Sequence, residues 1–166
     1  MRHPGLTIAA VAIGAAALAA CNKSANPSAG GGNAPSGPVG SLLSDDDAKK
    51  ALAALPAPYN TADLSNGESK FALCSTCHTV VENGPNMTGP NLHGVFGRKA
   101  ASKAEFKYSD ALKATGWTWD AARLDTWITD PKVALPGTKM TFAGLKDPKD
   151  RTDVIAWLMV QTGYKP

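Results

Sequence analysis

Apolar and polar positions from residue 59 to 166 follow the spacing of α-helices, and no stretch shows the strict alternation expected of a half-buried strand. A first helix is predicted from about Asp63 to His78, with Gly67 and Phe71 four residues apart and therefore on one face. A short helix follows in "SDALKATG", with Ser109 as N-cap. Another runs from Asp120 to about Asp130, where a proline stops it.

The last predicted helix carries the clearest signals. Asp147 is placed as its N-cap, Pro148 occupies the first helical position and Gly163 follows the end. Its apolar stripe contains four residues: Val154, Ile155, Leu158 and Met159. About four helices with long Gly- and Pro-rich loops predict a small all-α fold. So small a core indicates that something other than side chains fills its centre.

Residues 1–20 have the pattern of a secretory signal that is removed from the mature protein. Arg2 supplies the positive charge, and an apolar run extends from residue 6 to 20. The sequence Leu18-Ala19-Ala20-Cys21 resembles the lipobox of bacterial lipoproteins, which predicts cleavage before Cys21 and its lipidation. The alternative is ordinary cleavage that leaves a spare thiol.

Residues 21–58 are predicted to be a flexible linker, lipid-anchored at Cys21, because residues 22–41 are mostly Gly, Ser, Pro, Asn and Ala. A short helix is possible within it, in "SDDDAKKALAAL", where Ser44 is an N-cap candidate and Pro56 lies beyond the end. The globular domain is then expected at residues 59–166. Without residues 1–20 the chain carries a formal charge of +2 (16 Lys and Arg against 14 Asp and Glu) and no basic stripe, so nucleic-acid binding is not expected.

The stretch "CSTCH" concentrates the chemistry of the chain. Cys74, Cys77 and His78 stand at i, i+3 and i+4, so on a helix they share one face. A dithiol redox centre would be expected in a βαβ setting, which is missing here. A zinc site needs four ligands, and His93 alone cannot complete one. The pattern therefore favours covalent attachment of one haem c through both cysteines, with His78 as an axial ligand of its iron.

The sixth ligand of that iron decides between functions. Met159 lies on the helical stripe and is expected in the core, and Met87 follows His78 too closely to reach the opposite haem face. Met140 lies in a loop 62 residues after His78 and is the favoured ligand. A thioether opposite histidine raises the reduction potential and suits electron transfer, whereas an open position suits gas binding or peroxide chemistry.

Three further segments resemble class I cytochromes c of the mitochondrial type: "TGPNLHGVFGRKA" (88–100), "FKYSDALKATGWTW" (106–119) and "PGTKMTFAGL" (136–145). The resemblance covers about residues 63–162. It implies Met140 as sixth ligand and a hydrogen bond from His78 Nδ1 to the Pro90 carbonyl. It further implies that Tyr108 and Trp119 donate to the inner haem propionate, with Arg98 nearby.

The chain departs from that family at four positions. Trp127 stands where the family usually has a tyrosine whose hydroxyl group donates a hydrogen bond to the methionine sulfur. Leu112 stands where mitochondrial members have an asparagine in the internal polar network. Both changes are expected to make the pocket drier and to disfavour ferric haem. Leu73 and Met87 stand where mitochondrial relatives carry lysine, while four lysines of the docking ring remain: Lys99, Lys132, Lys139 and Lys146.

The sequence therefore predicts an exported, periplasmic electron carrier, lipid-anchored to a bacterial membrane, that passes one electron at a time. No enzymatic activity and no small-molecule substrate are expected. By resemblance, its partners would be a bc-type complex and a haem-copper oxidase. The alternative is a haem enzyme of the peroxidase kind, or a ligand sensor with a displaceable distal ligand and His93 as the only spare histidine. A passive haem-binding lipoprotein is a third possibility.

Overall fold

A computed structural model describes residues 42–165, which contain six α-helices and one 3₁₀ turn. The α-helices are α1 (Asp45–Ala53), α2 (Leu64–Ser75), α3 (Asp110–Ala114), α4 (Ala121–Thr129), α5 (Pro131–Ala134) and α6 (Pro148–Gln161), and the 3₁₀ turn is Tyr59–Thr61. The β-structure of this region is a single isolated bridge between Lys99 and Thr118. The expectation of an all-α fold is confirmed.

Helices α2 and α6 form the framework of the fold. Phe71 stacks on Trp157 with ring centroids 4.4 Å apart, and α6 is buried along most of its length. Gly67 lies at the crossing, where an added Cβ would collide with the Asp153 carbonyl and stand 2.8 Å from Trp157 Cβ. The absence of a side chain at Gly67 therefore permits the close packing of α2 and α6.

Side-chain caps set the predicted helix starts. Asp63, Ser109, Asp120 and Asp147 each accept a hydrogen bond from a backbone N–H in the first turn of their helices. At the other end of α6, Gly163 has a φ of +68°. These predictions are confirmed.

One helix boundary differs from the prediction, and one short helix is additional. Helix α2 ends at Ser75, three residues before His78. Pro131 does follow the end of α4, but it also begins α5, because the Asp130 side chain caps that new turn by accepting from Val133 N at 3.2 Å. The short α5 was not predicted, and it places a helical turn shortly before the Met140 loop.

Helix α1 forms as its sequence allows and packs on α6. Ser44 caps it, and the side chains of Ala48 and Leu55 are buried. The Leu42 backbone N–H donates to Gln161 Oε1 at 2.9 Å. Helix α1, the short helix that the sequence allowed within residues 21–58, therefore lies against the domain. The predicted signal, Cys21 and the Gly/Ser-rich stretch lie outside the described residues.

Candidate functional site

The Cys-x-x-Cys-His segment spans the last two residues of α2 and the turn that follows it. The backbone N–H groups of Cys77 and His78 both donate to the Cys74 carbonyl, at 3.0 and 2.9 Å. The second of these is a helical i to i−4 bond, so the expected spacing persists although the regular helix has ended at Ser75. Both cysteines are half-buried free thiols.

The surroundings of Cys74 do not favour the rival metal and redox interpretations. Burial, and to a smaller extent the neighbouring Cys77, raises the pKa of the Cys74 thiol to about 11. A redox dithiol requires a thiolate, which such surroundings disfavour. Moreover, within residues 42–165 no three His, Cys, Asp or Glu side chains are grouped as a metal site requires.

The imidazole of His78 is fixed by its second nitrogen. Nδ1 lies 2.7 Å from the Pro90 carbonyl oxygen, which can only accept, so Nδ1 carries the proton and Nε2 keeps its lone pair for a metal. Burial lowers the pKa of His78, and the bond to Pro90 opposes this only in part, so the ring is held neutral. The expected His78–Pro90 contact is present.

Gly89 leaves the space that the imidazole occupies. A Cβ at this position would lie 2.6 Å from His78 Nδ1 and 2.7 Å from Nε2, and closer still to the carbon between them. The Gly89 backbone N–H also donates to the Cys77 carbonyl at 2.8 Å. The sequence indicated only a turn here, because a close approach of two loops leaves no periodic signal.

The sulfur of Met140 accepts a hydrogen bond from the indole N–H of Trp127, with Nε1 and Sδ 3.2 Å apart. The Trp127 indole therefore supplies the hydrogen-bond donor that a tyrosine hydroxyl usually supplies at this position in the family. The loop that carries Met140 has a second anchor in the neighbouring Lys139. The Nζ of Lys139 donates to the Lys107 and Tyr108 carbonyls at 3.1 and 3.3 Å. Of the other methionines in the domain, Met159 is buried in the core and Met87 is 47% exposed.

Arg98 lies close enough to Tyr108 to influence the pKa of its phenol. Burial raises the pKa of Tyr108, whereas the Arg98 cation favours the ionised phenol and offsets part of this increase. The Arg98 guanidinium donates to the carbonyls of His93 and Asn91, at 2.9 and 3.1 Å. Trp119 is buried against Trp117 and Trp127, so it lies beside the residue that contacts Met140.

His93 is half-buried. It lines a groove on the α1 and α6 side, together with Leu55, Met159 and Tyr164. Its backbone N–H is held by Asn91 Oδ1 at 2.9 Å. Asn91 itself is fully buried and ties this loop to Thr79 and Val81. The sequence interpretation missed Asn91, because a buried asparagine in a turn-rich segment looks like an ordinary loop residue.

The described residues fit a haem attached through thioethers. One half-buried free thiol lies near the end of α2 and another in the turn after it, a neutral imidazole presents Nε2, and a methionine sulfur accepts a hydrogen bond from an indole N–H. This donor set on an all-α fold defines the class of c-type haem proteins. Residues 64–161 match the cytochrome c family, to which this chain belongs. The family implies one covalently bound haem c, and the spacing of Cys74 and Cys77 agrees with it.

Known proteins agree with that assignment. The chain is 48% identical to cytochrome c2 of Rhodomicrobium vannielii over 105 residues, 63% of this chain and 84% of the relative. It is 41% identical to cytochrome c of Kluyveromyces lactis over 106 residues, 63% of this chain and 96% of the relative. Cytochrome cH from Methylobacterium extorquens has a similar solved structure, with a TM-score of 0.53 and 48% identity over 58% of this chain and 97% of that one.

Helix α1 lies upstream of the family match, which begins at residue 64. Within the described part of the chain, no helix is both long and apolar enough to cross a membrane.

Proposed function

We propose that this protein is an electron carrier whose haem c iron is ligated by His78 and Met140 and bonded to the chain through Cys74 and Cys77. The haem, when bound, supplies the one-electron couple between ferrous and ferric iron. The observation that carries the proposal is the Met140 sulfur held by Trp127 Nε1 at 3.2 Å. A fixed thioether favours the reduced state and a closed coordination sphere, which suits electron transfer.

The chain's contribution is rigidity. The His78–Pro90 bond fixes the plane and tautomer of the imidazole, and the Trp127 bond fixes one lone pair of the Met140 sulfur. Ligands that are already in position rearrange little when the iron changes charge, so the barrier to electron transfer is small. No bond to a substrate is required.

Arg98, Tyr108 and Trp119 are proposed to face the haem propionates. The guanidinium and the phenol already lie near each other, and both are partly or fully removed from water. Burial lowers the pKa of Arg98, which shows the cost of holding that cation without an anion. A propionate carboxylate would offset this cost.

The spectrum of the ferric protein tests this assignment against an open-site enzyme or sensor. We expect a low-spin spectrum with a weak near-infrared charge-transfer band from the Met140 sulfur. High-spin features without that band, together with binding of cyanide or azide as fast as in an open-site haem protein, would contradict the proposal. Thiol alkylation gives an independent test of haem attachment. Cys74 and Cys77 should be alkylated in the haem-free protein and should resist alkylation once both sulfurs are bonded to haem.

We further propose that the protein is exported, lipidated at Cys21 and tethered at the periplasmic side of a bacterial membrane. The sequence before residue 42 supports this, and the relatives named cytochrome c2 are bacterial. Tethering raises the effective concentration near membrane-bound partners, for which a bc-type complex and a haem-copper oxidase are the candidates. Cys21→Ser should move the haem protein from the membrane fraction to the soluble periplasmic fraction. A wild-type protein that is already soluble would contradict the anchor while leaving the carrier function intact.

A further inference from the structure

Three indole rings form a continuous aromatic path from the Met140 sulfur toward the surface. This tryptophan cluster consists of Trp117, Trp119 and Trp127. All of its pairs are in edge-to-face geometry, with ring centroids 6.1 Å apart for 117 and 119, 6.3 Å for 117 and 127, and 5.5 Å for 119 and 127. Trp127 is also the ring whose N–H reaches the Met140 sulfur at 3.2 Å.

Exposure changes along this path. Trp119 and Trp127 are buried, whereas Trp117 is half-buried, and the exposed Arg123 guanidinium lies 4.6 Å above its ring. The remaining tryptophan, Trp157, is buried in the separate stack with Phe71. An oxidant arriving from solvent therefore meets Trp117 first among the four tryptophans of the chain.

We propose that the tryptophan cluster is a one-electron relay through which the reduced protein quenches oxidising radicals that reach its surface. A small oxidising radical takes one electron from Trp117 and becomes an anion, leaving an indole radical cation. With haem bound in its ferrous state, an electron would pass outward to Trp117 through Trp127, directly or by way of Trp119. Trp117 would thereby be restored, and the bound haem would supply that electron and regain one from its redox partner.

The direction of this transfer follows from relative oxidising strength and local charge. An indole radical is a far stronger oxidant than a ferric haem with histidine and methionine ligands, so the final transfer is downhill. The Arg123 cation destabilises a second positive charge on the ring beneath it. It therefore favours movement of the positive charge away from Trp117 and inward to the buried rings.

Pulse radiolysis of the haem-loaded protein tests the relay. Azide radicals oxidise indole rings selectively, and the indole radical and the haem are followed at separate wavelengths. In the ferrous protein we expect the radical to decay with the same first-order rate constant at which the haem becomes ferric, independent of protein concentration. In the ferric protein, which has no electron to give, the radical should persist much longer.

Matched variants locate the path. Trp117→Phe should abolish the shared first-order phase, whereas Trp157→Phe, which removes an indole outside the cluster, should preserve it. Arg123→Gln should slow the shared first-order phase, because without the Arg123 cation the positive charge is less strongly repelled from Trp117. Mass spectrometry gives a second readout: the yield of oxidised Trp117 should be higher in irradiated ferric protein than in ferrous protein.

Equal radical lifetimes in the ferrous and ferric proteins, or an unchanged phase in Trp117→Phe, would overturn the relay. The inference rests on Met140 as the iron ligand under the proposed function. The sulfur charge-transfer band of each variant therefore distinguishes the two failures. A normal band without the shared phase refutes the relay alone, and a missing band in the wild-type protein refutes the ligand assignment.

Discussion

At the scale of single residues, two contacts hold the proposed iron ligands, His78 and Met140. The resemblance predicted the first, from His78 to Pro90, and the structure contains it at 2.7 Å. The second, from Trp127 to Met140, uses an indole in place of a phenol. An indole N–H can only donate, so the sulfur is the acceptor in this bond.

Removal of the Trp127 donor should lower the midpoint potential. A hydrogen bond to the sulfur withdraws electron density from the iron and favours the ferrous state, so Trp127→Phe should shift the midpoint down by roughly 20–40 mV, or about 0.5–1 kcal/mol. Trp127→Tyr, which keeps a donor, should shift it less. A redox titration in which phenylalanine leaves the midpoint unchanged would show that the bond does not tune the iron.

Gly89→Ala should displace the His78 ring. The added methyl group would occupy the space of the imidazole, because its Cβ would lie 2.6 Å from Nδ1. We expect loss of low-spin character and weaker haem ligation in the visible spectrum. Gly94→Ala is the control: its φ of +63° strains the backbone, but no atom lies within 4 Å of the new methyl group. If both variants keep a wild-type spectrum, the close approach at Gly89 is unimportant.

At the scale of elements, the helix starts could be predicted because capping residues and prolines mark them locally in the sequence. Asp147 and Pro148 mark the start of α6 because a cap and a proline act within one turn. The packing of α1 on α6 and the extra turn α5 could not be predicted in this way. Both depend on distant partners, such as the bond from Leu42 to Gln161, which leave no local pattern.

The junction of α2 and α6 depends on a buried carboxylate. Burial alone would raise the pKa of Asp153, but its hydrogen bonds with Lys149, Asn66 and the Asp63 backbone outweigh this and lower it. Since the folded-state pKa lies below the unfolded value, its stabilisation is present above about pH 4 and is lost as the pH falls through the folded value.

Asp153→Asn should accordingly destabilise the fold in a pH-dependent way. At pH 7 we expect the free energy of unfolding to fall by roughly 1.5–3 kcal/mol, the usual contribution of hydrogen bonds to a charged group. Below about pH 4 the variant and the wild type should converge, because the native carboxylate becomes protonated. Urea unfolding across this pH range measures both effects, and a difference that does not vary with pH would exclude the electrostatic explanation.

At the scale of the whole molecule, the proposed docking surface combines lysines with exposed apolar residues. Leu73 and Met87 are 55% and 47% exposed, at positions where the resemblance to mitochondrial proteins expects lysine. Fewer positive charges should weaken long-range attraction to anionic partners. The sequence shows that Leu73 and Met87 replace lysines of the related proteins, but only the structure shows that both side chains face solvent.

Restoring the lysines should steepen the salt dependence of electron transfer. For Leu73→Lys/Met87→Lys, we expect faster oxidation of the ferrous protein by hexacyanoferrate(III) at low salt and a stronger decline as salt is added. Leu42→Lys, combined with Val133→Lys, adds the same charge at other exposed positions and should have a smaller effect. Equal salt slopes in both variants would mean that only total charge matters.

The most direct measurement is the redox and spectral behaviour of Met140→Leu. The variant should keep its covalently attached haem but lose the sulfur charge-transfer band. Its ferric form should become high-spin or recruit another ligand, and its midpoint should fall by roughly 100 mV or more, equivalent to about 2.3 kcal/mol. A variant that stays low-spin and six-coordinate at the wild-type midpoint would show that Met140 does not ligate the iron.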